Sequence, residues 1–108
     1  RTQIVAKSAF EIQMDYRNAI RQADSLSEIA RELKTTADSG LQDCMSEISG
    51  SWTGDNATGY VKKCSLLKDK IIRSSEKLQK TADAIRKIAK NTYDMEMRAL
   101  EIMQRREY

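Results

Sequence analysis

Small and apolar residues recur through the first half of the chain at Ile12, Tyr16, Ala19, Ala23, Leu26, Ala30, Leu33, Ala37, Gly40 and Cys44, in alternating steps of four and three. That alternation keeps one side of a helix against a neighbouring helix, so it predicts a heptad seam. From Ala57 the same rhythm runs through Tyr60, Cys64, Leu67, Ile71, Ser74, Leu78, Thr81, Ile85, Ile88, Thr92, Met95, Ala99 and Ile102. Ser74, Thr81 and Thr92 weaken this second seam without breaking its period.

Between the seams lies Ser49-Gly50-Ser51-Trp52-Thr53-Gly54-Asp55-Asn56, which holds two of the four glycines. Gly50 suits the left-handed position after a helix end, and Thr53, Asp55 or Asn56 can accept hydrogen bonds from the free N–H groups of the next helix. The pattern therefore predicts an all-α chain: an antiparallel two-helix hairpin with coiled-coil-like packing. It forms one domain over 1–108, with a helix over about 3–49, a turn over about 50–55 and a helix over about 56–105. Each arm spans roughly 70 Å at about 1.5 Å per residue.

Charge favours pairing of the arms. Residues 1–54 carry six basic and eight acidic side chains, net −2, and residues 55–108 carry thirteen and eight, net +5. Mixed charges also simply solvate outer helix faces, where an exposed pair contributes only about 0–1 kcal/mol.

A two-helix hairpin buries one narrow seam per arm, little core for 108 residues. Apolar residues beyond the seams are therefore candidates for a partner interface: Ile20, Ile29, Leu41, Met45 and Ile48 on the first arm, and Leu66, Ile72, Met97, Leu100 and Met103 on the second. They either widen the seam or form a second face, and a second face leads to a four-helix bundle of two hairpins. Met95, Met97 and Met103, with Leu100 and Ile102, are expected to pack on Phe10, Ile12 and Met14 as core filling.

Composition narrows the chemistry. There is no histidine and no proline, and Cys44 and Cys64 are the only cysteines, so a structural zinc site and an imidazole general base are both excluded. Carboxylates are plentiful, but no spacing separates a catalytic pair from solvated helix faces; no enzyme activity, cofactor or metal is expected. A net charge of +3 is too small for the field that drives nonspecific nucleic-acid binding. Lys62, Lys63, Lys68, Lys70 and Arg73 suit an acidic partner or membrane, but Asp69 interrupts them and no aromatic platform accompanies them. No run of about 18 apolar residues or signal-peptide core occurs, so neither a membrane span nor a cleaved leader is expected.

Cys44 and Cys64 fall on opposite seams, eight residues before and twelve after Trp52. In a hairpin they come level within about a turn, so they are either a candidate disulfide, if their Cα atoms approach to roughly 5.5 Å, or two small buried apolar residues. Asn56-Ala57-Thr58 matches a glycosylation acceptor but reads better as a helix start.

Trp52-Thr53-Gly54 sits near the midpoint of a chain of about one hundred residues, between two heptad-bearing helices. This combination resembles the WXG-motif (ESAT-like) family of small proteins of type VII (Esx) secretion systems in mycobacteria and Gram-positive bacteria, over essentially the whole chain. The resemblance implies a secreted or co-secreted helical protein that has a cytoplasmic pool before export and uses no cleaved signal peptide. It also implies action by pairing: with a second copy, with a WXG-like small helical partner, or with the helical N-terminal domain of a larger toxin as its targeting factor. Trp52 and Gly54 are the positions that match the family's export motif, presented to the secretion machinery, whereas Trp52 on its own chemistry either plugs the end of a hairpin or faces a groove beside a partner's helix. The family's tail pattern, a tyrosine followed four residues later by Asp or Glu, is not met: Met97 stands four after Tyr93 and Glu96 is one residue early. The resemblance then implies that a partner chain supplies that signal or that a variant signal is used. The competing expectation is a non-secreted structural coiled-coil adaptor or chaperone whose Trp-x-Gly is only a turn.

Overall fold

The computed structural model describes residues 7–51 and 53–106. All of these are helical from Ala9 to Ser51 and from Asp55 to Arg106, and no strand occurs among the described residues. The elements are α1 (Ala9–Thr35), a π-helical segment (Thr36–Leu41), α2 (Gln42–Ser51) and α3 (Asp55–Arg106). Proline-free stretches rich in Ala, Leu, Lys, Arg and Glu favour helices of this length. Asp55 in the first turn of α3 and Arg105 and Arg106 in its last complement the helix dipole.

Among the described residues the first helix starts at Ala9; the expected start near residue 3 lies outside them. Ser8 caps this helix: its Oγ accepts the Glu11 N–H at 3.2 Å and donates to Glu11 Oε1 at 3.2 Å. Ser-x-x-Glu is a capping-box spacing, and here the Glu carboxylate meets the Ser hydroxyl. At the central break, Gly50 is helical and Gly54 takes the positive φ, 97°. A positive φ is open to glycine at no steric cost. The first backbone bond of the new helix runs from the Thr58 N–H to the Gly54 carbonyl at 3.3 Å, and the Thr58 Oγ1 donates to the same oxygen at 3.4 Å. Trp52, the other half of the predicted motif, lies outside the described residues.

Packing divides the chain into two compact units, Arg1–Ser25 with Thr81–Tyr108, and Leu26–Lys80. Within the first, α1 lies against α3: the Tyr16 and Tyr93 rings sit 5.1 Å apart at 48°, and Arg86 bridges to Asp24 at 2.9 Å. Ile12, Ala23, Ala82 and Ala89 are its buried apolar residues. Within the second, Gln79 donates to Ser27 Oγ at 3.2 Å and Lys68 to Gln42 Oε1 at 3.0 Å. Ala30, Ala37, Met45, Ala57 and Ser75 are buried there, and the Ser75 hydroxyl is satisfied by the Ile72 carbonyl at 2.9 Å. In each unit partner numbers climb on one segment as they fall on the other, so the two segments run antiparallel.

The seam read on α1 holds from Ile12 to Ala37, every member buried or half-buried. Beyond Ala37 it is displaced: Gly40 and Cys44 are exposed, while Leu41 and Ile48 are half-buried and Met45 is buried. The π-helical segment is the cause. Four residues of α-helix turn about 400°, so two successive steps of four, Ala37 to Leu41 to Met45, would swing about 80° off the seam. A π turn absorbs one extra residue and keeps these larger side chains facing inward.

The seam on α3 also needs correcting. Ala57, Cys64, Ile71, Leu78 and Ile85 lie at least partly inward, but Tyr60, Leu67, Ser74, Thr81, Ile88, Thr92, Met95, Ala99 and Ile102 are exposed. Their places are taken one residue on, by Val61, Lys68, Ser75, Ala82, Ala89, Tyr93 and Leu100. At 81/82 and 88/89 Ala replaces Thr or Ile, which lets the helices approach closely, since interaxial distance is set by the side chains at the contact; at 92/93 and 99/100 the larger residue, Tyr93 or Leu100, turns inward.

Candidate interaction surface

With Ala82 and Ala89 turned inward, several large apolar residues of α3 are left facing out. In the first unit Ile88 is 64% exposed and Met95 69%, with Ile102 also exposed one heptad further on. In the second unit Tyr60 is 54% and Leu67 49% exposed. Each pair is separated by seven residues, about 10.5 Å along the axis and about 20° of drift, so within each unit the side chains form a row. The sequence marked these residues and assigned them to the wrong interface; hydropathy alone does not register that Ala89 fits where Ile88 does not.

The proposed partner-facing residues are scattered by comparison. Ile29, Leu66 and Met103 are exposed, while Ile20, Leu41, Ile48, Ile72, Met97 and Leu100 are half-buried. Met45 is buried in its own unit, where the π-helical segment rotates it onto the seam. Phe10 and Met95, expected as core filling, are exposed, while Ile12 is buried and Met14 half-buried. Cys44 is an exposed free thiol and Cys64 a half-buried one. The same rotation that brings Met45 in carries Cys44 off the seam.

In the first unit the row borders a groove of about 250 Å³ whose lining includes Ile12, Tyr16, Ala19, Ile85, Ile88 and Ala89. Lys7 closes one side, its Nζ 2.9 Å from both Asp15 Oδ2 on α1 and Glu96 Oε2 on α3. Hydrogen bonds to Asp15 and then Glu96 hold the Lys7 ammonium above the ordinary lysine range. A raised folded pKa gives stability that is fully present below the unfolded value of about 10.5 and is lost as pH rises through the folded one. Between neutral pH and about pH 10 the melting temperature of Lys7→Met should therefore sit below the native one by a constant, small margin, and it should converge on it above that. A margin that persists undiminished at strongly alkaline pH means that the lysine stem, not its charge, closes the groove.

Among the described residues, no group of three or more Cys, Asp or Glu side chains is placed to hold a metal ion. No helix there is long and apolar enough to cross a membrane. What this surface offers is an apolar row on a helix and a groove beside it, a form suited to receiving another helix. Compared with models of known protein families, with curated proteins and with solved structures, the chain finds no match.

Proposed function

We propose that this chain is a non-enzymatic helical hairpin that works by docking a second helical chain, as a small secreted or co-secreted protein of a type VII secretion system. The observation that carries the docking is the arrangement of α3, with Ala82 and Ala89 buried while Ile88 and Met95 stand exposed. Exposed rows of large apolar side chains favour a covering partner, since each such side chain gains about 1.5–3 kcal/mol when fully buried. The export half of the reading rests on the Trp52-x-Gly54 motif in its setting, with Gly54 in a left-handed turn at the start of α3. In this role the turn contributes to recognition by the machinery. The partner is a second copy, a similar small helical protein, or the helical N-terminal domain of a toxin for which this chain is the targeting factor, and two hairpins make a four-helix bundle.

The test follows the tagged chain in cells and in culture medium of its native host, with and without a working type VII system. Export is expected to require the system and to fall about tenfold or more in Trp52→Ala while the purified variant melts as the native chain does; a factor of ten is about 1.4 kcal/mol of recognition. Recovery from cells alone, or export indifferent to Trp52, leaves Trp-x-Gly as a turn and the chain as a structural adaptor.

A further inference from the structure

We infer that the part of α3 in the second unit docks a helix whose apolar seam is bordered by acidic residues, and that a second copy of this chain does not occupy it. The inference rests on the docking reading above and narrows the partner. Tyr60, Cys64, Leu67 and Ile71 follow one another in steps of four, three and four, the spacing of a heptad seam, and all four retain exposure. Lys63 and Lys70, both exposed, stand three residues beyond Tyr60 and Leu67, so they border this strip on its solvent side. The surrounding charge is net positive: residues 55–80 carry seven basic side chains and three acidic ones.

Residues that flank a helix–helix seam meet the flanks of the partner and select it by charge. Two copies packed antiparallel through this strip would set Lys63 and Lys70 against the same lysines. In parallel they would meet the other flank, where Val61 and Lys68 stand. Neither orientation supplies a carboxylate. A membrane surface fits less well, because an interfacial helix carries a broad apolar face, and here the exposed strip is one seam wide.

The probes are two labelled synthetic helices of about four heptads, both with Leu at the seam positions, one with Glu and one with Lys at every flanking position. Like charges keep each from pairing with itself. The full-length chain should bind the Glu helix at least about tenfold more tightly than the Lys helix, weakening with salt. Lys63→Glu combined with Lys70→Glu should reverse the preference, and Leu67→Ser should abolish binding of both while leaving the helical circular dichroism unchanged. Equal binding of the two helices overturns the inference, as does binding of anionic vesicles in place of the Glu helix, or self-association that Leu67→Ser removes. If the partner recovered in the export experiment binds Leu67→Ser unimpaired, this surface is wrong and pairing occurs elsewhere. If neither the Glu helix nor any partner binds, the docking reading falls with it.

Discussion

Replacing Ala82 with leucine should lower the stability of the folded chain by about 2–3 kcal/mol or more, whereas the same change two residues on, at Ala84, should be close to neutral. Ala82 is 0% exposed in a two-helix interface, and Ala84 is exposed. Three added carbon atoms at Ala82 cannot be accommodated by rotamer change alone, because α1 lies directly across the seam. The helices must separate, and separation opens gaps around Ala23 and Ala89, which are buried by the same approach. For a chain of this size each kcal/mol corresponds to about 4–8 °C in melting temperature, so the Ala82 variant should melt at least about 10 °C lower. Ile88→Ser supplies the opposite control. Its side chain is largely exposed, so removing it should leave the melting temperature nearly unchanged and reduce association with a partner. Equal melting of the Ala82 and Ala84 variants would place the seam on the row through Thr81 and Ile88, as the hydropathy pattern alone suggests.

That contrast shows what was legible in the sequence. On α1 the apolar spacing and the small residues coincide, so Ile12 through Ala37 read correctly. On α3 they diverge, and adjacent positions compete for the same place: Leu67 with Lys68, Thr81 with Ala82, Ile88 with Ala89. The heptad spacing places Leu67, Thr81 and Ile88 on the seam, but at 81/82 and 88/89 close helix approach favours the smaller alanine. Lys68 adds a further twist, since its stem lies half-buried while its ammonium reaches Gln42 Oε1, an arrangement in which the aliphatic part packs and the charge stays wet. The exposed row was therefore visible as a pattern and invisible as a surface. The Ser8–Glu11 cap went unread, although its Ser-x-x-Glu spacing carries the signal. The displacement at Leu41 and Met45 was less legible, because steps of four and four also describe a seam that simply fades.

Deleting Gly40 should leave the fold intact and raise stability by up to about 1 kcal/mol, whereas deleting Lys70 should cost at least about 3 kcal/mol. Both residues are exposed and neither occupies a seam. The difference lies in what the deletion does to phase. In a regular helix, losing one residue rotates everything beyond it by about 100°. On α3, where no turn is overwound or underwound, deleting Lys70 forces either Val61 and Cys64 or Ser75 and Leu78 away from the interface. The π-helical segment already carries one residue too many for α geometry. Removing Gly40 lets Thr36–Leu41 close as ordinary α-helix, with Leu41 now three residues after Ala37, Met45 seven and Ile48 ten, a regular heptad that keeps all three facing inward. Helix propensity adds to the gain, because glycine in a helix interior costs roughly 0.5–1 kcal/mol relative to alanine. Urea titrations of the two deletions, monitored by helical circular dichroism, separate the cases. A Gly40 deletion as damaging as the Lys70 deletion would mean that the π turn is held by contacts of its own, with the Ser39 hydroxyl on the Thr35 carbonyl at 2.7 Å as the first to examine.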